Sequence, residues 1–83
     1  MHDLLLLGRE ITKVLRHDAE NARVAVRNVR RDVMHDVKDM LKEKLVSQDD
    51  ERRAEVEVQK LTDKHIAEID ALLAAKEKEV MHV

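Results

Sequence analysis

Apolar residues recur at steps of three and four along the first half of the chain. Leu4, Leu7, Ile11, Val14 with Leu15, Ala22, Ala25 with Val26, Val29, Val33, Val37, Met40, Leu41 and Leu45 follow one another in this way. This near-heptad period predicts a helix from about residue 4 to about residue 45. Asp18 interrupts the run and Asp36 sits beside Val37 within it. The run drifts toward Val33 and Val37, as the face of a straight 3.6-residue helix does. A second run, Ala54, Val58, Leu61, His65 with Ile66, Ile69, Leu72 with Leu73, Lys76 and Val80, predicts a helix from about 48 to about 81. The turn falls at about 46–48. There Ser47 can cap the second helix, with Asp50 three positions on as a weaker form of the capping box. Asp49, Asp50 and Glu51 place acid in the first turn, where the helix dipole favours it. So short a connection makes the helices antiparallel neighbours. It contains no Gly or Pro, so nothing in its chemistry forbids straightening into one long helix. At the other end, Gly8 costs the first helix up to about 1 kcal/mol relative to Ala, which leaves its start open between an Asp3 cap and Arg9.

The expected architecture is all-α, a long antiparallel helical hairpin forming a single helical domain over 1–83. Forty helical residues span roughly 60 Å, so neither helix can bury its seam against itself. Two helices alone bury too little for a secure monomer. A second copy, giving a homodimeric helical bundle, is the expected completion. Val24, Val56 and Leu5 lie off the seams, where such a partner could cover them.

Composition sharpens this. Charged residues make up 41% of the 83, and there is no Phe, Tyr, Trp, Cys or Pro. Any core is aliphatic, and no disulfide or thiolate chemistry is available. The Leu4–Leu7 run is too short for a signal core or a membrane span, so the expected location is the cytoplasm, away from membranes. The net charge of −2 hides an asymmetry. Residues 9–31 carry seven basic against three acidic side chains, whereas residues 49–83 carry six basic against ten acidic.

On a helix, Arg9, Arg16, Arg23, Arg27 and Arg30 fall in one narrow band, with Lys13 and Arg31 beside it, opposite Leu7, Ile11, Val14 and Val29. Such a band is commonly a solvated face held by a few weak ion pairs. It can also read a nucleic-acid backbone. Arg16, Arg23, Arg27 and Arg30 would form a line about 20 Å long, each with a planar fork suited to phosphate oxygens. Without aromatics to stack on bases, recognition would go by shape and phosphate, not by single-strand sequence.

Catalytic and metal signatures are missing. The five histidines form neither HExxH nor a zinc pattern. The His35/Asp39 and Asp32/Asp36 pairs are of a kind that charged helices produce constantly. Gly8 stands alone, so there is no phosphate loop. Neither an enzyme, a cofactor nor a metal is expected.

The segment Ala22–Asp32, ARVAVRNVRRD, closely resembles the signature of bacterial ribosome recycling factors. Asp49-Asp50-Glu51-Arg52-Arg53, then Val58-Gln59-Lys60-Leu61-Thr62-Asp63, resembles the family's entry into its last helix, and Ala74–Glu79 resembles its C-terminal end. The likeness runs from about Ile11 to Val83. It corresponds to the second and third helices of the family's three-helix bundle, without the first helix or the inserted β-rich domain. The resemblance implies binding to large-subunit rRNA in the disassembly of post-termination ribosomes, with elongation factor G as the energy-supplying partner. It implies rRNA contacts by Arg23, Arg27, Arg30 and Arg31, with Arg16 as their neighbour. Without the β-rich domain, recycling by this chain alone is expected to be partial or lost. The competing expectation is a structural oligomerisation hairpin with no RNA function.

Overall fold

A computed structural model describes residues 2–81 and shows two antiparallel helices, α1 (His2–Lys42) and α2 (Gln48–Met81). Together they form a thin plate of 65 × 15 × 9 Å. No strand occurs among the described residues. Gly8 is inside α1, not at its start, and a Cβ built there would lie 3.7 Å from Val80 Cγ1. Residues 2–7 therefore run on toward the end of α2 and beyond the level of Val80, and Leu4, Leu5, Leu6 and Leu7 are all exposed.

α1 ends at Lys42, short of the expected residue 45, because Lys44 adopts a left-handed conformation with φ 60°. Its N–H donates to the Leu41 carbonyl at 3.0 Å, and the Leu45 N–H reaches back to the Met40 carbonyl at 2.9 Å. This pair of bonds is a Schellman closure, usually made with glycine at the left-handed position. An L-residue there costs about 1–2 kcal/mol of backbone strain, partly offset by its stiffer unfolded chain. Lys44→Gly is therefore expected to stabilise the hairpin by about 0.5–1 kcal/mol, read as a higher thermal midpoint. A lower midpoint would show that the Lys44 side chain matters more than its backbone.

α2 opens on the expected capping box. The Asp50 N–H donates to Ser47 Oγ at 3.1 Å and the Ser47 N–H donates to Asp50 Oδ2 at 3.0 Å. The Ser47 N–H, then the Ser47 hydroxyl, and last the Arg53 charge hold the Asp50 carboxyl below the usual carboxylate range.

The seam between the helices is rotated from the one the hydrophobic pattern marks most strongly. On α1 the least exposed positions are Gly8, Thr12, Leu15, Ala19, Ala22, Arg23, Val26, Arg30, Met34, Val37 and Leu41. On α2 they are Glu51, Ala54, Val58, Thr62, Ile66, Ile69, Leu73, Glu77 and Val80. Leu15, Ala22, Val26, Val37 and Leu41 on α1, and Ala54, Val58, Ile66, Ile69, Leu73 and Val80 on α2, are seam residues as expected. Leu4, Leu7, Ile11, Val14, Val29, Val33, Met40, Leu45, Leu61 and Leu72, expected inside, are exposed. The cause is space: Ala19 and Ala22 let α2 approach closely, and a polar ladder along the α1 edge holds it there. Only Ala19 and Thr62 are buried among the described residues. Thr62 satisfies its hydroxyl by donating to the Val58 carbonyl at 2.8 Å, as Thr12 does to Gly8 at 2.9 Å.

The direction of rotation gives the plate two unlike faces. α2 sits between the apolar and basic bands of α1, roughly a quarter turn from each. The arginines therefore line one broad face, and Leu4, Leu7, Ile11, Val29 and Met40 line the other. On α2 the acids Asp70 and Glu77 share the arginine side, so Leu61 and Leu72, across the seam, share the apolar side.

Candidate nucleic-acid interface

The basic band does not stand wholly free. α2 takes up its near edge in three rungs, seven residues apart on α1 and seven then eleven apart on α2. Arg16 Nε donates to Glu77 Oε1 at 2.6 Å. Arg23 donates to Asp70 Oδ1 through Nε at 2.8 Å and Nη2 at 2.6 Å, and through Nη1 to Glu20 Oε2 at 3.0 Å. Arg30 Nη1 donates to Gln59 Oε1 at 2.8 Å. The first two rungs are ion pairs whose hydrogen bonds raise the Arg16 and Arg23 pKa above the ordinary guanidinium value. Arg23, with its side chain only 19% exposed, is the most enclosed of the paired arginines.

The third rung differs in kind. Gln59 is neutral, and its Nε2 donates to Asp63 Oδ1 at 2.9 Å, which turns its Oε1 toward Arg30. Arg30 is thus positioned without losing its charge to a carboxylate. Arg27 is 49% exposed and only loosely paired, 3.7 Å from Glu20 Oε1. Arg31 donates to Asn28 Oδ1 at 2.5 Å, again a neutral acceptor.

Arg27, Arg30 and Arg31 open onto one groove of about 580 Å³ between the helices. Lys38 and His35 extend its basic wall. Val24 and Met34 supply the apolar part, and Glu55 and Gln59 form the α2 side. Of the five arginines expected to contact RNA, the structure brings together Arg27, Arg30 and Arg31. It diverts Arg16 and Arg23 into ion pairs with α2. Lys38 was missed because it lies outside the dense arginine run, yet it follows Arg31 by two helical turns on the same stripe. The groove is open to solvent and long in one direction, a shape for a strand or a helix edge. His35 lies 3.4 Å from Asp39 Oδ2, but among the described residues no three His, Asp or Glu side chains gather to hold a metal. No helix among them is long and apolar enough to cross a membrane.

The ribosome recycling factor family model matches residues 8–81. The chain is 59% identical over 75 residues to the ribosome-recycling factor of Acinetobacter baumannii (strain SDF), covering 90% of this chain and 41% of that protein. It is 59% identical over 75 residues to the ribosome-recycling factor of Acidovorax sp. (strain JS42) and 57% identical to that of Paracidovorax citrulli, in each case covering 90% of this chain and 40% of the relative. The chain thus spans about two fifths of the length of these relatives. The match takes in α1 from Gly8 onward, all of α2, the turn and every arginine of the groove, and the chain belongs to the ribosome recycling factor family.

Proposed function

We propose that this chain is a ribosome-binding helical module of recycling-factor type. It contacts large-subunit rRNA in the disassembly of post-termination complexes in the cytoplasm, and by itself it is partial or inactive in recycling. Elongation factor G is the partner that the family likeness implies for the full-length protein. The observation that supports the reading is the groove in which Arg27, Arg30 and Arg31 converge with Lys38. Arg30 and Arg31 have neutral partners and Arg27 only a loose ion pair, and these are the groups a phosphate could engage at least cost. Arg16 and Arg23 then act mainly as struts that hold α2 in place, and contact RNA less.

Sedimentation of the chain with isolated large subunits across a salt series tests this. Four phosphate contacts predict a log–log slope of affinity against salt of roughly −3. Binding that ignores salt, or no binding at low salt, would overturn the assignment.

The exposed apolar face favours a second reading, a structural oligomerisation hairpin that self-associates as a homodimer and binds no RNA. Self-association is compatible with the first reading, because the apolar and basic faces lie on opposite sides of the plate. Tight self-association together with indifference to large subunits would leave only the second.

A further inference from the structure

The ladder on the arginine face changes its step at the third rung. Gly8 packs against Val80. Counting from that level along two antiparallel helices puts Arg16 opposite Leu72, Arg23 opposite His65 and Arg30 opposite Val58. Helical side chains lean toward the N-terminus of their own helix, which for α1 is toward the C-terminal end of α2. Arg16 and Arg23 accordingly pass the residue opposite and reach carboxylates five positions on, Glu77 and Asp70. The same reach from Arg30 ends at Asp63, so the chain carries the carboxylate for a third ion pair. Arg30 Nη1 instead donates to Gln59 Oε1 at 2.8 Å, and Gln59 Nε2 donates to Asp63 Oδ1 at 2.9 Å. The amide stands between cation and acid, with its oxygen toward one and its N–H toward the other. Reversed, it would set N–H against guanidinium and oxygen against carboxylate, so its polarity is fixed. Glu55, the other acid near this level, lies on the opposite side of it, against the lean of Arg30, and lines the groove.

Resting on the RNA-binding groove proposed above, we infer that Gln59 is a positioning residue that intercepts Asp63 and so keeps Arg30 free for phosphate. A direct Arg30–Asp63 ion pair would be exposed and would add little to the stability of the hairpin. Its effect on binding would be larger, because a phosphate would have to displace the carboxylate or carry its own charge up beside it. Gln59 holds the guanidinium in place without that competition. The ladder is thereby divided by function. Two rungs closed by carboxylates hold α2, and the rung closed by an amide presents its cation to the groove. Neither Gln59 nor Asp63 has to touch RNA for this. The consequence runs against a simple count of charge: removing the neutral Gln59 weakens binding, and the charge of Asp63 matters most once Gln59 is gone.

Gln59→Ala in the large-subunit salt series tests this, since Ala keeps the helix. Affinity is expected to fall about two- to fivefold, the strength of an exposed ion pair that phosphate must then break. The salt slope should flatten by up to about 0.9, the share of one phosphate contact. Adding Asp63→Asn to Gln59→Ala is expected to restore wild-type affinity, whereas Asp63→Asn alone gains clearly less. Equal gains in both backgrounds would reduce Asp63 to a general surface charge and overturn the interception. So would a Gln59→Ala loss that Asp63→Asn leaves in place, which would make Gln59 an RNA contact or a plain prop for Arg30. A second arm needs no RNA. A double-mutant cycle of Arg30→Ala and Asp63→Asn on the thermal midpoint reads the coupling of the two side chains. That coupling is expected to grow by about 1–4 °C when Gln59 is replaced by Ala. No growth would overturn the inference whatever the RNA result. A wild-type chain that ignores the subunits would overturn the RNA reading, and the cycle alone would then decide whether Gln59 keeps Arg30 and Asp63 apart.

Discussion

The double variant Arg27→Ala plus Arg30→Ala is expected to lose large-subunit binding by a factor on the order of 100, with helix content unchanged. Each guanidinium stands in the groove without a close carboxylate, Arg27 in a loose pair 3.7 Å from Glu20 and Arg30 on the neutral Gln59. A hydrogen bond to a charged group contributes about 1.5–3 kcal/mol, and two such losses at the lower, solvent-exposed end of that range, about 3 kcal/mol together, bring the factor to that order. Removing two phosphate contacts should also flatten the salt slope by roughly 1.5–2. Circular dichroism supplies the control, because Arg27 lies off the seam and Arg30 gives up only one neutral rung of the three that hold α2. The comparison with Arg16→Ala is informative. If Arg16 is a strut, that variant should shift the thermal midpoint more than the salt slope. Equal loss of binding from Arg16→Ala and from Arg27→Ala would mean that the phosphates displace the Glu77 pair, and that the whole band engages RNA as one surface. Full retention of binding in the double variant would remove the groove from the account.

What the sequence makes legible follows the range of the interactions. The cap at Ser47 and Asp50 is local, set by four consecutive residues, and it is found as expected. Both helices and their antiparallel pairing follow from periodicity and a short turn. The left-handed Lys44 is also local but carries no sequence mark, since the position lacks the usual glycine, and α1 accordingly ends before the pattern does. The seam is a different matter. Counting apolar residues favours the stripe with the bulkiest ones, Leu4 through Met40, whereas α2 chooses the neighbouring stripe with Ala19 and Ala22 at its narrow point. Packing distance and polar pairing decide between two overlapping stripes, and both depend on the partner helix. Thr62 shows the same effect: a hydroxyl that a hydrophobic count passes over is among the least exposed residues, because the carbonyl of Val58 satisfies it. The arginine band was legible as a band. Its division into ion-paired Arg16 and Arg23 and groove-lining Arg27, Arg30 and Arg31 was not, since the acids that make the division lie 47 and 61 residues away in sequence.

Ala19→Glu is expected to destabilise the hairpin by about 3 kcal/mol or more and to lower the midpoint by more than about 10 °C for a domain of this size. Ala19 is buried at the narrow point of the seam, 9% exposed. A longer side chain there forces the helices apart, which by itself costs about 1–3 kcal/mol. The carboxylate adds the cost of a charge held away from water without a partner. Glu is nearly as good a helix former as Ala, so the change tests packing, not helix propensity. Asn21→Glu, on an exposed position two residues on, is the matched control and should shift the midpoint little. If Ala19→Glu behaved like Asn21→Glu, the helices would not be held at this seam, and the stripe of bulkier residues would be the better candidate for the contact. Loss of the seam should also release Arg23 from Asp70 and open the groove wall carried by Gln59. RNA affinity in Ala19→Glu should therefore fall together with stability, whereas in the Arg27 and Arg30 variants affinity falls alone. That separation tells a groove built by two packed helices from a basic stripe that any isolated α1 would present.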